Sequence, residues 1–241
     1  MLQAEREKMI TMQNKMDAYP VRMRFERNGA IVYIGHLDLM RTFERTLRRA
    51  DLPVLYTQGY NPRPTLVFAL PLGVGIASTD DCVDIFFREK VDTGELVERF
   101  NAGCPPGLAA LNAWEIKDSD KSVMSLVSAA TYRITAPGIR EAVSELMLRD
   151  EIPVMKHAKG KETRADLRPL IISVSEPSED DEAVDMLVYA GSSRNLRPDL
   201  LLSACAETGK IDRRTADNAY VQRTGLFTGT NPDFLRLSDK R

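Results

Sequence analysis

The chain has 241 residues, of which 43% are hydrophobic, so it can bury one full core or two small ones. Its 33 basic and 35 acidic residues give a net charge of −2, which excludes a protein that is basic overall; only a local patch can attract phosphates. The three cysteines, Cys82, Cys104 and Cys205, are odd in number and far apart. This spacing argues against a disulfide framework or a zinc site and favours a reducing compartment.

The N-terminal residues are polar and charged. We expect residues 1–19 to form a polar extension, because they lack the apolar segment of a signal peptide. No run in the chain approaches the roughly 18 apolar residues that a membrane helix requires. The sequence therefore predicts a cytoplasmic protein with no membrane partner.

The first half of the chain, residues 20–117, predicts a strand-helix-strand-strand-helix-strand order. Apolar residues recur every second residue in the predicted strands and about every 3.6 residues in the predicted helices. In chain order they are Val21–Arg27, helix Leu37–Ala50, Val54–Thr57, Thr65–Leu70 continued by Cys82–Phe87, helix Thr93–Asn101, and Leu108–Lys117. This β-α-β-β-α-β order is that of a ferredoxin-like module.

The second half repeats this architecture without repeating the sequence. A polar linker is predicted at residues 118–130, a second ferredoxin-like module at residues 131–230, and a C-terminal tail at residues 231–241. Its predicted elements are the strand Thr131–Ala136, the helix Gly138–Arg149, the strands Pro153–His157, Thr163–Leu167, Leu170–Ser175 and Ala183–Ala190, the helix Pro198–Glu207 and the strand Tyr220–Phe227. The predicted fold is therefore α+β with tandem ferredoxin-like modules.

The helix Leu37–Ala50 is amphipathic. Its apolar residues fall on one side at about 100° per residue. The opposite side carries Asp38, Arg41, Arg45, Arg48 and Arg49. Guanidinium groups form forked, charge-assisted hydrogen bonds with phosphate oxygens, so this face could bind RNA. Alternatively, it is a solvated helix face on which Asp38 and Glu44 pair with neighbouring arginines.

His36 is one of two histidines and stands at the start of this helix. The positive end of the helix dipole favours the neutral imidazole, which could act as a general acid or base on a nucleotide. The alternative is a structural histidine that fixes the turn into the helix through a backbone hydrogen bond. We favour the structural role, because no partner base, nucleophile or metal ligand is evident in the sequence.

The loop that follows is rich in turn-forming residues. Its candidate binding residues are Gln58, Tyr60, Asn61 and Arg63. An aromatic ring, an amide and a guanidinium on a loop stiffened by prolines could stack on a base and bind a phosphate. Equally, Tyr60 could cover the core while the prolines only shape the chain reversal.

Five segments resemble a bacterial family of uncharacterised radical-SAM-linked proteins. They are IGHLDLMRTFERTLRRADLP, YTQGYNPRPTLVFALPLGVG, DLRPLI, NLRPDLL and RTGLF, and the resemblance covers nearly everything from Pro20 to Phe227 in the family's order. Members of that family occur as free-standing chains or as the C-terminal portion of radical SAM proteins, so the resemblance implies a radical SAM enzyme as a partner. Arg63 stands where we expect the family to have histidine, which weakens the idea of an essential catalytic histidine in this loop.

The tandem arrangement is also similar to the RAMP superfamily of CRISPR RNA-binding and RNA-processing proteins.

A radical SAM cluster needs three cysteine thiolates in one short loop, and no two cysteines here are close in sequence. Three functions stay open: a non-catalytic adaptor that binds RNA or a ribonucleoprotein for a radical SAM enzyme, a RAMP-like RNA-processing enzyme with His36 as acid or base, and a pure protein-interaction module. No cofactor and no metal site are predicted, and we favour the adaptor.

Overall fold

The structure is a computed structural model that describes residues 18–117, 120–158, 160–175 and 182–239. The described chain divides into two units. The first contains the described residues up to Val74, Asp80–Leu126 and those from Ser238 onward, and the second contains Gly75–Thr79 and Val127–Leu237. Most of the predicted N-terminal extension, residues 1–17, lies outside the described residues.

The first unit contains four strands and three helices among its described residues. In chain order they are β1 (Tyr19–Arg27), α1 (His36–Arg49), β2 (Leu66–Phe68), β3 (Ile76–Phe87, from Asp80 onward), α2 (Thr93–Gly103), β4 (Leu108–Glu115) and α3 (Val123–Leu126). A short 3₁₀ helix, Gly29–Tyr33, precedes α1. The strand order is β4-β1-β3-β2. Strands β1 and β4 are antiparallel, as are β2 and β3.

One face of this sheet packs against the helices. Alternate residues of β1, namely Val21, Met23 and Phe25, point into the core because side chains on a strand alternate between its two faces. They form a cluster with buried apolar residues of both longer helices: Leu39, Phe43 and Leu47 of α1, and Leu96 and Phe100 of α2. The buried stripe of α1 recurs every three to four residues, so its polar side faces outward.

Two predicted strands of the first unit need correction. Val54–Thr57 is not a regular strand: it makes only isolated bridges, from Val54 to Phe87 and from Tyr56 to Pro64. Pro53 precedes it and Pro64 lies opposite Tyr56, and proline lacks the N–H that a continuous ladder requires. The segments Thr65–Leu70 and Cys82–Phe87 do not continue one another. They belong to the separate strands β2 and β3, which pair antiparallel because the chain reverses between them.

The second unit contains seven strands and three helices among its described residues. They are β5 (Ala129–Thr135), α4 (Ile139–Met147), β6 (Pro153–Ala158), β7 (Lys161–Asp166), β8 (Ile171–Ser175), β9 (Ala183–Tyr189), α5 (Pro198–Glu207), α6 (Arg213–Asp217), β10 (Tyr220–Thr230) and β11 (Asp233–Arg236). The main strand order is β10-β5-β9-β8, all antiparallel, with β11 beside β10. Strands β6 and β7 form a separate hairpin. The first residues of β3 pair in parallel with β10.

The predicted α+β class is confirmed by this mixture of sheet and helices. The assignment of each unit to a ferredoxin-like module stays a prediction. The predicted linker contains α3, and β5 already begins at Ala129. The predicted C-terminal tail contains β11 and a 3₁₀ turn, Leu237–Asp239. Among the described residues, no helix is long and apolar enough to cross a membrane.

Candidate nucleic-acid interface

Helix α1 places its arginines on the outer side of the first unit. The helix begins one residue earlier than predicted, at His36, with Gly35 as its extended N-cap residue. The Gly35 carbonyl accepts hydrogen bonds from the backbone N–H groups of Asp38 (3.1 Å) and Leu39 (3.0 Å). Because the apolar stripe of α1 is buried in the core, the arginine side is directed to solvent.

The four arginines of this face have different environments. Arg41 pairs with Asp38 at 2.7 Å, and both side chains are exposed. Arg49 donates a hydrogen bond to the carbonyl of Gly103 at the end of α2. Arg45 and Arg48 are exposed and form no hydrogen bond or ion pair with any residue that the structure describes. Arg45 and Arg48 are therefore the arginines available to an external anion.

Arg49 therefore has a structural contact in addition to its predicted role in binding. A second arginine, which the sequence analysis missed, acts in the same way from the other helix. Arg99 of α2 donates to the carbonyls of Ala50 and Asp51, which follow α1, and pairs with Glu95 at 3.1 Å. Positive charge at the C-terminal end of a helix is favourable, so both arginines hold the end of α1 against α2. The i,i+4 pair of Glu95 and Arg99 was the only signal in the sequence.

The predicted binding loop lies beside the arginine face. The ion pair between Arg63 and Glu44 spans 3.7 Å and joins the loop to α1. Glu44 is three residues after Arg41 and four before Arg48, so it belongs to the same side of the helix. At the base of the loop, the Arg63 N–H donates to the Thr57 hydroxyl at 3.0 Å.

All of the loop residues predicted to bind are exposed: Gln58, Tyr60, Asn61 and Arg63. Tyr60 is 100% exposed, so it does not cover the core. A fully exposed aromatic ring, on a loop that Arg63 joins to the polar side of α1, is suited to stacking on an unpaired base. We name the set Arg41, Arg45, Arg48, Tyr60 and Arg63 the arginine stripe.

His36 lies at the N-terminal end of α1, half-buried, with its ring edge-to-face against Phe68. The ring centroids are 5.3 Å apart and the planes meet at 88°. Among the described residues, the imidazole forms no hydrogen bond, so the predicted backbone hydrogen bond of His36 is wrong. The Gly35 carbonyl fixes the turn instead, and His36 contributes packing against Phe68.

The surroundings of His36 favour its neutral form. Burial is the main cause that lowers the pKa of His36 below its ordinary value; the Arg27 guanidinium also lowers it, and the Asp81 carboxylate acts in the opposite direction. The imidazole is therefore neutral near pH 7, with one nitrogen free to accept and one free to donate a hydrogen bond.

This lowered pKa predicts a pH dependence of stability. Between about pH 7.5 and about pH 5.5 the histidine of the unfolded chain takes up a proton, while the folded one resists protonation. The unfolded state then binds more protons, so the free energy of unfolding falls as the pH falls. We expect the wild type to lose more stability over this interval than His36→Gln. Urea unfolding at both pH values, followed by the fluorescence of the single tryptophan, Trp114, measures this; equal losses would contradict the prediction.

The described residues contain no group of three or more His, Cys, Asp or Glu side chains that could hold a metal ion. The cysteines are not nucleophilic thiolates at neutral pH. Burial raises the pKa of Cys205 to about 12, and burial also raises the pKa of Cys82 and of Cys104.

Comparison with known proteins identifies a family. Residues 21–198 match the sequence profile of the family described as "Uncharacterized protein conserved in bacteria (DUF2344)". This segment includes α1, the loop beside it and the second unit as far as Pro198, the first residue of α5. No curated protein matches the chain.

Proposed function

The chain belongs to this bacterial family of uncharacterised proteins, DUF2344, and we propose that it is a non-catalytic accessory protein that binds RNA, free or in a ribonucleoprotein, for a radical SAM enzyme. The observation that carries the proposal is the exposure of Arg45 and Arg48, which pair with no described residue, beside the fully exposed ring of Tyr60. Arg41, in contrast, is paired with Asp38.

The spacing of the arginines suits an RNA backbone. The helix rises about 1.5 Å per residue, so Arg41 and Arg48 are separated by roughly 10 Å along α1. Because long side chains add to this reach, the three guanidinium groups of the helix can contact neighbouring phosphates of one strand. Arg63 lies beside them but is paired with Glu44, as Arg41 is with Asp38, so Arg45 and Arg48 supply the local excess of positive charge. This local charge compensates for the nearly neutral chain as a whole.

The order of elements supports a relationship to RNA-binding folds. In the first unit the elements follow the order β-α-β-β-α-β with strand order β4-β1-β3-β2. In the second unit the order of strands in the sheet is β10-β5-β9-β8, and the β6-β7 hairpin is inserted in the chain after the first helix. Two ferredoxin-like modules of this kind are similar in architecture to RAMP proteins. Because a fold does not determine a function, this similarity supports contact with RNA but no particular activity.

The partnership with a radical SAM enzyme is supported by the segments that resemble the radical-SAM-linked proteins. The two longest of them supply α1 and the loop with Tyr60, so the resemblance is concentrated at the arginine stripe. The chain has three cysteines, and none is near another in sequence, so it does not provide a three-cysteine loop for the cluster. In our proposal the partner performs the chemistry and this chain presents the substrate.

The proposal is tested with the double variant Arg45→Glu/Arg48→Glu. We expect its affinity for a single-stranded RNA at low salt to fall on the order of a hundredfold, because two phosphate contacts become repulsive. The logarithm of affinity falls with the logarithm of salt by about 0.7 per phosphate, so the slope should become shallower by about 1.4. Fluorescence anisotropy with a labelled oligonucleotide, repeated at several salt concentrations, measures both quantities.

A matched control makes a charge change of the same size in the second unit. Arg164→Glu/Arg214→Glu alters two exposed arginines of the second unit and the net charge by the same amount. This control should bind RNA nearly as the wild type does. Equal affinity of the two double variants would overturn the proposed role of the arginine stripe and would favour a protein-docking surface.

A further inference from the structure

Three large apolar side chains are exposed around His36. Tyr33 is 72% exposed, Leu37 67% and Val74 62%. Tyr33 ends the 3₁₀ helix before α1, Leu37 is the second residue of α1, and Val74 lies in the loop between β2 and β3. We name these three residues with His36 the apolar patch. Contiguous exposed apolar groups of this kind mark binding surfaces, whereas single ones are common.

A buried guanidinium holds two parts of the patch together. Arg27 is fully buried, and one of its terminal nitrogens donates to the carbonyl of Val32 at 3.3 Å and to that of Gly73 at 2.9 Å. Tyr33 and Val74 are the next residues after those two carbonyls. Because a single nitrogen bonds both segments, Tyr33 and Val74 are close in space although they are 41 positions apart in sequence. The patch is thus preformed by the fold.

His36 supplies the polar group of this patch. Its ring packs edge-to-face against Phe68 and forms no hydrogen bond with a described residue. The neutral imidazole therefore presents a donor and an acceptor to a ligand. A mostly apolar patch with one polar group that can both donate and accept matches a nucleobase, which has apolar faces and a hydrogen-bonding edge.

The patch is continuous with the arginine stripe. Leu37, Arg41, Arg45 and Arg48 follow one another at intervals of four, four and three residues, so they lie along one line of the α1 surface. A strand whose phosphates contact Arg45 and Arg48 therefore passes over Leu37 after roughly 12 Å, at the helix rise of about 1.5 Å per residue. The positive charge of the stripe is complementary to a phosphate backbone, which identifies the occupant of the patch as nucleic acid.

We propose that the apolar patch binds an unpaired base of an RNA strand whose phosphates lie along the arginine stripe. This inference rests on the proposed function and adds the class of substrate to it: single-stranded RNA, or an RNA loop or end. Bases inside a duplex are stacked on one another and cannot offer their faces to Tyr33 and Leu37. Stacking does not select a sequence, because every base has such a face.

The experiment compares two labelled oligonucleotides of equal length, one with bases and one with the same ribose-phosphate backbone but no bases. The wild-type protein should bind the base-containing strand about tenfold more tightly, as expected for one stacked base. In a Tyr60→Ala background, where the other exposed ring cannot stack, Tyr33→Ala/Leu37→Ala should lose the remaining preference and bind both strands as Tyr60→Ala alone binds the abasic strand. Both side chains are exposed, so the variant should fold, and its unfolding by urea is the check.

Tyr220→Ala/Leu148→Ala is the matched control, since these residues of the second unit are also exposed, by 50% and 87%. It should keep the wild-type preference. If the wild type binds both strands equally, or if the patch variant keeps the preference, the proposed binding of a base by the apolar patch is wrong. The proposed binding of phosphates by the arginine stripe is not affected by that result. If the wild type binds neither strand, the proposed function itself is wrong and the patch fails with it.

Discussion

Asp84→Ala is expected to lower the free energy of unfolding by about 3–5 kcal/mol, the cost of leaving one member of a buried ion pair without its partner. Asp84 is fully buried in β3. It accepts hydrogen bonds from two nitrogens of Arg22, at 2.7 and 3.1 Å, and from the backbone N–H of Val123 at 2.8 Å. Without the carboxylate, the guanidinium of Arg22 is buried with only the carbonyl of Lys121 as an acceptor among the described residues.

The measurement is urea unfolding followed by the fluorescence of Trp114, which lies in β4 of the same unit. Asp38→Ala is the control, because it breaks an ion pair of the same 2.7 Å length whose side chains are exposed. An exposed pair contributes about 0–1 kcal/mol, so the control should shift the midpoint little. Equal shifts for the two variants would show that burial does not determine the strength of the Asp84 contact.

Phe43→Ala is expected to destabilise the first unit by about 3–5 kcal/mol, the usual cost of removing a buried aromatic ring. Phe43 of α1 is fully buried, and its ring centroid lies 5.0 Å from Phe25, 5.0 Å from Phe68 and 5.1 Å from Phe100. One ring therefore joins β1, β2 and α2 to α1. Its removal leaves a cavity and also eliminates three ring contacts.

The same urea experiment measures this loss, with Phe43→Leu and Leu37→Ala for comparison. Phe43→Leu keeps most of the apolar volume and should cost clearly less than Phe43→Ala. Leu37→Ala removes an exposed side chain from the same helix and should change stability by no more than about 0.5 kcal/mol. A loss for Phe43→Ala as small as that for Leu37→Ala would contradict the position of Phe43 at the centre of the core.

The sequence determined α1 well because helical periodicity is a local property. Leu39, Phe43 and Leu47 recur at intervals of four, and all three are buried. The same pattern placed Arg45 and Arg48 on the solvent side. Their exposure follows from the helix geometry alone and needs no knowledge of the rest of the fold.

The pairing of strands was less accessible to the sequence, because it depends on contacts between residues far apart. Val54–Thr57 has the composition of a strand, yet it forms only isolated bridges. Thr65–Leu70 and Cys82–Phe87 were predicted as successive strand segments, but periodicity does not show that they pair antiparallel with each other. Tertiary contacts decided between these possibilities.

For the candidate interface, too, the sequence predicted one part and the tertiary structure decided the other. Composition and spacing selected the arginines, Tyr60 and Arg63 as candidates but left open whether Tyr60 covers the core, and the structure shows its ring exposed. Only the tertiary structure distinguished Arg49, whose guanidinium binds a carbonyl of α2, from Arg45 and Arg48, which are available to a ligand. It alone brought the segments of Tyr33 and Val74 together, because the bond from Arg27 to Gly73 crosses 46 positions of sequence and no local pattern encodes such a contact.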